Sequence, residues 1–394
     1  MVRIALAVLF AAVGGISVMR TAGYLLRENR VEQAHSLAPG DGRVTAMLAQ
    51  SKAGPNATAA DRSAADLLAR TALQQEPMAS IAAATLGLDA QIRGNVPGAQ
   101  RLLGYAQTLS RRDLQTQIWA IEDAVARGDI PGALAHYDIA LRTSPSAPEL
   151  LYPILAAAIA DPAVRSALIR TLANCPAWRG SFIDYVSGNG PTPSATVLLF
   201  LALQRNGMTI PDGAEATVVS SLVSHNMVEA AWRYYAASRP GTNRNHSRDS
   251  AFTADRASPS PFDWRTLDDG QISASIQPDR EGGVVDLVAP ASRSGPLLQQ
   301  MQMLMPGAYR LEGVSEGIDQ PEASRPYWVL QCTDGRELGR VVVPNAGDGR
   351  FQGRFDVPAT CMTQMLTLFA RSSDAVGGLS GRIRRARLFP VAEQ

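Results

Sequence analysis

A run of seven residues recurs after 34 positions. Arg93-Gly94-Asn95-Val96-Pro97-Gly98-Ala99 is answered by Arg127-Gly128-Asp129-Ile130-Pro131-Gly132-Ala133, and Ala72, Ala106 and Ala140 hold the same offset. A fixed period of this length demands a stack of like units, because each unit exposes an apolar face that only its neighbour can cover. Pro77 and Pro145 stand two offsets apart, and Ala34 with Pro39 repeats the spacing of Ala72 with Pro77. The surrounding stretch, 29–160, is rich in Ala and Leu at helical spacing, so antiparallel helix pairs are expected, with units near 80–113 and 114–147. The segment 51–63, SKAGPNATAADRS, reads as an insertion or hinge.

These positions resemble the tetratricopeptide repeat, whose period is about 34 residues. The resemblance implies a TPR-like α-solenoid whose concave groove holds an unidentified protein partner, and it implies close helix packing at Gly87, Gly94, Ala99 and Ala106 in one unit and at Gly128, Ala133 and Ala140 in the next, where Ile121 replaces the first-helix glycine. Trp119 and Tyr137 are expected to pack between helices rather than to line that groove. Residues 148–238 keep helical spacing without the period. In order they read ELLYPILAAAIA, PAVRSALIRTLA, SATVLLFLALQRNG and EATVVSSLVSHNMVEAAWRYYAAS, with proline at several starts. Residues 161–238 are expected to cap the solenoid, with Trp178, Phe182, Trp232, Tyr234 and Tyr235 in its core.

The N-terminus carries an apolar run over 4–19, flanked by Arg3 and Arg20 and followed by TAGYLL. About 20 apolar residues cross a bilayer, so a membrane-anchoring helix over 1–28 is expected if its ends snorkel. A cleaved signal peptide and a buried first helix are the alternatives. Arg20, Arg27 and Arg30 favour a cytoplasmic body by charge. The resemblance of the C-terminal half, given below, favours a periplasmic one.

After 239–262, a polar stretch rich in Pro, Ser, Asn and Arg that reads as a linker, the period of the sequence changes from helical to alternating. Strands are expected near 271–277, 283–289, 308–314, 326–332, 338–343, 350–357, 363–370 and 382–389, separated by turns such as Asp268-Asp269-Gly270 and Asp334-Gly335. Many short strands over 263–394 argue for an antiparallel β-sandwich. The stretches Pro261-Phe262-Asp263-Trp264, Met305-Pro306-Gly307-Ala308-Tyr309 and Trp328-Val329-Leu330-Gln331-Cys332, closing on Val357-Pro358-Ala359-Thr360-Cys361, resemble jelly-roll carbohydrate-binding modules. An anchor, then repeats, then a jelly roll is similar to tetratricopeptide proteins of bacterial envelopes, some associated with exopolysaccharide assembly.

What the resemblance implies for a sugar site can be tested on residue types. Sugars present C–H faces to aromatic rings and hydroxyls to planar polar groups. Trp264, Tyr327 and Trp328 supply rings; Asp263, Gln331, Arg336 and Arg340 supply polar groups. Neighbours on a strand point to opposite faces, so Trp328 joins Leu330 and Cys332 toward the core. Tyr327 shares a face with Gln331 and is the better platform. Trp264 follows Phe262 by two and reads equally as core. The candidate carbohydrate-binding set is therefore Tyr327, Gln331, Trp264, Asp263 and Arg336.

Other chemistry is thinly represented. The 37 Lys+Arg and 36 Asp+Glu leave a net charge of +1, which excludes nucleic-acid binding by bulk charge. Lys52 is the only lysine and the four histidines lie far apart, so no Walker lysine, metal site or cofactor site is expected. The run 347–353, GDGRFQG, has the wrong spacing for a dinucleotide fingerprint and reads as a turn. Arg382, Arg384, Arg385 and Arg387 read as an exposed strand face, with an anionic polysaccharide or phospholipid patch as the alternative. Asp268 with Asp269, or Glu281 with Asp286, is the nearest approach to a glycosidase pair. With no catalytic motif, an enzyme is not expected. Cys332 and Cys361 could bridge, leaving Cys175 over; three buried thiols are the alternative.

Overall fold

The computed structural model describes every residue except 1, 55, 255, 281, 346–348, 374–376 and 392–394, and it leaves out the side chains of 2–12. The chain divides into two compact units, Met1–Gly180 and Ser181–Gln394. The division falls inside the expected cap, so the later helices belong with the sandwich rather than with the repeats.

The first unit is helical. It runs through α1 (Val2–Leu26), α2 (Val31–Leu37), α3 (Gly42–Lys52), α4 (Ala59–Gln75), α5 (Ser80–Ile92), α6 (Val96–Leu109), α7 (Leu114–Ala126), α8 (Ile130–Thr143), α9 (Ala147–Ala158) and α10 (Pro162–Ala173). Among the described residues no helix is long and apolar enough to cross a membrane, so the expected membrane helix is not supported. Its first turns lie where side chains are not described. Its last turns hold Arg20 and dock on α2, where Gly23 comes so close that a Cβ would sit 3.1 Å from Ala38.

The 34-residue offset becomes geometry in two hairpins. α7 starts 34 residues after α5, and α8 both starts and ends 34 residues after α6. Each second helix opens with the same device: Asn95 and Asp129 accept the backbone N–H of Gly98 and Gly132, with proline in the first turn. Ala99, Ala106, Ala133 and Ala140 are buried as expected, and a Cβ on Gly87 would strike Leu103. Gly94 and Gly128 correct the reading. Both have positive φ, 75° and 71°, and open space where a side chain would go. They are left-handed helix ends, conserved in spacing by backbone conformation and not by packing. The expected hinge at 51–63 is only half loop, because Thr58 and Asp61 form a capping box that starts α4.

The second unit begins with α11 (Arg179–Asn189), which sequence spacing did not reveal, then α12 (Pro193–Arg205), α13 (Asp212–Ser224) and α14 (Val228–Ser238). The single helix expected over 215–238 is two, broken where Asn226 takes a φ of 61°. Two five-stranded antiparallel sheets follow. One has the order β1 (Arg265–Thr266), β4 (Gly295–Gln302), β9 (Gln364–Ala370), β6 (Tyr327–Cys332), β7 (Glu337–Val342); the other β2 (Ser273–Asp279), β3 (Gly282–Ala289), β10 (Leu379–Pro390), β5 (Gly307–Glu316), β8 (Arg350–Val357). The expected sandwich is present, and its core joins Trp264, Trp328, Leu330, Leu366 and Leu368 from one side to Val285, Leu311, Phe355, Ile383 and Leu388 from the other.

One expectation changes here, and the open choice between a bridge and three buried thiols closes on the bridge. The segment 239–262 is not a solvated linker: Ser247 donates its backbone N–H to Leu388, Ala386 donates to Ser250, Gly283 donates to Ala251, and Phe252 is buried. Cys332 and Cys361 form a disulfide with a Cα–Cα distance of 5.6 Å, and Cys175 is free and exposed rather than buried. The arginines of β10 lie on an exposed face as expected. Arg382 meets Asp286, Arg384 meets Asp279 and Glu316, and Arg387 meets Glu312.

Two outcomes follow for thermal melting of the whole chain. Cys332→Ala with Cys361→Ala opens a loop of 29 residues in sequence separation and is expected to cost roughly 3–4 kcal/mol; an unchanged melting temperature would contradict the bridge. Gly94→Ala should cost about 1 kcal/mol through its φ, whereas Gly87→Val should cost more, because a packed leucine must move.

Candidate functional site

The face of the first sheet turned away from the core is built by strand alternation. Pairing puts Tyr327 beside Phe369 and Val342, Val329 beside Thr367 and Arg340, and Gln331 beside Met365 and Glu337. Val329 and Thr367 form a buried floor, while Tyr327, Gln331 and Phe369 are half-buried around it. Tyr327 and Phe369 stack nearly parallel, with ring centroids 5.6 Å apart and planes at 12°. The guanidinium carbon of Arg340 lies 4.8 Å from the Tyr327 centroid and that of Arg371 lies 4.4 Å away. Cation–π attraction at exposed sites is worth about 0.5–1 kcal/mol per pair, enough to hold these side chains in one cluster.

The charges in this cluster are not equivalent. Arg340 donates from Nε and Nη2 to the two oxygens of Glu337, at 2.6 and 2.8 Å. That fork holds the Glu337 carboxyl below its ordinary value and the Arg340 guanidinium above its own. Arg371 donates from Nη1 to the carbonyl oxygen of Ala323, at 3.2 Å, a neutral acceptor.

The other residues of the expected sugar set lie elsewhere. Trp264 is in the core, its ring 5.4 Å from Phe252 and 5.6 Å from Trp328, and its Nε1 donates to the carbonyl oxygen of Asp249. It therefore packs on the opposite side of β6 from Tyr327. Asp263 is buried and fully engaged: it accepts from the Tyr235 hydroxyl at 2.8 Å and from the backbone N–H and hydroxyl of Ser260. Arg336 sits in the β6–β7 turn and donates to Asp334 and to the Thr360 hydroxyl. Of the five expected residues, the structure unites Tyr327 and Gln331. Sequence reading missed Phe369 and Arg371, because their place beside Tyr327 depends on β6–β9 register.

A second feature of this unit is a polar cleft of about 560 Å³, lined among others by Arg239, His246, Arg248, Arg256, Asp263 and Trp264. Its back wall is the buried guanidinium of Arg248. That group donates to the carbonyl oxygens of Phe262 and His246, to Gln302 Oε1 and to the carbonyl oxygen of Met301, while its backbone N–H reaches Gln300 Oε1. Burial pulls its pKa down to about 10, still well above neutrality, so a full charge sits inside the protein on neutral acceptors.

In the first unit, α3, α5 and α7 enclose a cleft of about 420 Å³ lined by Thr85, Leu88, Ile92, Ile118, Trp119 and Glu122 among others. Trp119 lines it and also packs on the cluster of Ala83, Ala99 and Leu103, whereas Tyr137 is buried. Among the described residues, neither expected acid pair is assembled. Asp268 and Asp269 accept from backbone N–H groups of their own turn, Glu281 lies outside the described residues, and Asp286 is ion-paired. Residues 347–348 of the glycine-rich run also lie outside the described residues. No cluster of metal ligands occurs among the described residues.

No family model matches the chain, and no curated protein matches it. Among solved structures it is similar to the carbohydrate-binding module CBM4, at 13% identity and a TM-score of 0.28, over 37% of this chain and 99% of that one. It is similar to TmCBM61 in complex with beta-1,4-galactotriose, at 17% identity and a TM-score of 0.27, over 38% and 100%. It is also similar to the enzymatically active domain of tailspike protein 4 of bacteriophage CBA120, at 10% identity and a TM-score of 0.24, over 32% of this chain and 19% of that one. This chain thus spans about a fifth of the tailspike chain. Likeness at this level decides nothing about ligand or activity.

Replacing Arg248 with alanine should strip at least three buried carbonyl oxygens of their donor and cost roughly 3–5 kcal/mol. Denaturant titration of the whole chain measures it; a loss under 1 kcal/mol would mean that water replaces the guanidinium without cost.

Proposed function

We propose that this chain is a non-catalytic adaptor of the cell envelope. Its helical hairpins hold a protein partner in the α3–α5–α7 cleft, and its β-sandwich binds carbohydrate on the β6–β9 face. The observation that supports the carbohydrate half is the clustering of Tyr327, Phe369, Arg340 and Arg371 around the Val329–Thr367 floor. Rings beside planar polar donors are what a sugar's mixed surface requires. The apolar residues of the helical cleft, Leu88, Ile92 and Ile118, edged by Glu122 and Arg62, suit a peptide segment. The Cys332–Cys361 disulfide favours an oxidising compartment, and a periplasmic body is part of this reading.

A pure protein–protein scaffold with a structural sandwich is the second reading. It is favoured by the company of the Tyr327 ring, which has Phe369 stacked beside it and two guanidinium groups over it. Affinity electrophoresis of the whole chain against a set of neutral and acidic polysaccharides separates the two. At least one glycan should retard the protein, and Tyr327→Ala should abolish that retardation while the fold persists by circular dichroism. Migration unaffected by every glycan would leave the scaffold.

A further inference from the structure

We infer that the β6–β9 face selects glycans bearing carboxylate groups over neutral ones. This rests on the carbohydrate reading of that face and specifies its ligand. A neutral sugar held by stacking needs a bare aromatic face of about its own area. At Tyr327 that area is shared out, with Phe369 stacked 5.6 Å away on the neighbouring strand and the guanidinium carbons of Arg340 and Arg371 at 4.8 and 4.4 Å from the ring centroid. Recognition then falls to the N–H groups that fringe the ring. A guanidinium is a planar fork matched to a carboxylate.

The charge balance points the same way. Arg340 spends its fork on Glu337, so that pair is nearly neutral. Among the described residues, Arg371 has the Ala323 carbonyl oxygen as its hydrogen-bond partner and no carboxylate partner. Arg325 lies two residues before Tyr327 on extended backbone, φ −61° and ψ 138°. Its Nε is buried with no hydrogen-bond partner. Among the described residues, the Arg371 charge thus stands over the ring without a carboxylate, while Arg382, Arg384 and Arg387 on the other sheet are each met by acids. A ligand carboxylate would supply the missing counter-charge.

Titration of the whole chain with polygalacturonate and with a neutral galactan, at low and high salt, tests this. Polygalacturonate should bind at least about tenfold tighter than the galactan, and more weakly as salt rises. Arg371→Met should lose about tenfold toward polygalacturonate, and Arg371→Lys should recover part of that loss, because charge returns without the fork. Equal binding of both glycans, with Arg371→Met silent and Tyr327→Ala damaging, would overturn the preference and leave the carbohydrate reading standing. Binding of dextran sulfate as tight as polygalacturonate would reduce the effect to unspecific charge and overturn it too. No binding of any glycan would end both. Near-ultraviolet circular dichroism of each variant separates lost contacts from lost structure.

Discussion

A charged guanidinium sealed among carbonyl groups organises the second unit. Arg248 ties three separate pieces of chain: the segment after α14, the Phe262 turn, and β4 through Gln302 and Met301. An unpaired charge in that place would be prohibitive; with its donors on fixed carbonyl oxygens it allows only one arrangement of those pieces. The rings around it reinforce the choice. Trp232 and Phe262 meet edge to face at 5.3 Å, and Tyr235 lies 5.3 Å from Phe262 and donates to Asp263. α14 and the sandwich thereby share one polar-and-aromatic junction, and β4 is pinned between β1 and β9 in the sheet whose outer face carries Tyr327.

That junction also explains what the sequence could and could not say. Helical hairpins were legible because their offset is written twice, in glycine, proline and alanine. Eight of ten strands were legible from alternation. β4 was not, since the residues it turns inward include Gln300 and Gln302, both buried, which read as surface in any hydrophobic pattern. Nor was the burial of 239–262, whose Pro, Ser, Asn and Arg look like solvent-loving linker until Arg248 and Ser247 are seen to satisfy buried backbone groups. Local composition measures affinity for water; it is silent about which polar groups will find each other.

The candidate site divides the same way. Tyr327 and Gln331 were legible because strand alternation alone separates them from Trp328. Phe369 and Arg371 were not, because their approach to Tyr327 is decided by pairing between strands almost forty residues apart. Trp264 and Asp263 carried the right chemistry in the wrong place. Both are consumed by the core and its polar border, Trp264 against Phe252 and Trp328, Asp263 beneath Tyr235. Gly94 and Gly128 show a related ambiguity, since a recurring glycine can mark close packing or a left-handed turn, and only the dihedral tells which.

Hydrogen–deuterium exchange of the whole chain, with and without polygalacturonate, tests the central claim most directly. The account predicts slowed exchange confined to 325–331, 337–342 and 365–371, with the helical hairpins and the Arg248 cleft unchanged. Protection centred on the cleft or on β10, with none along β6 and β9, would contradict it.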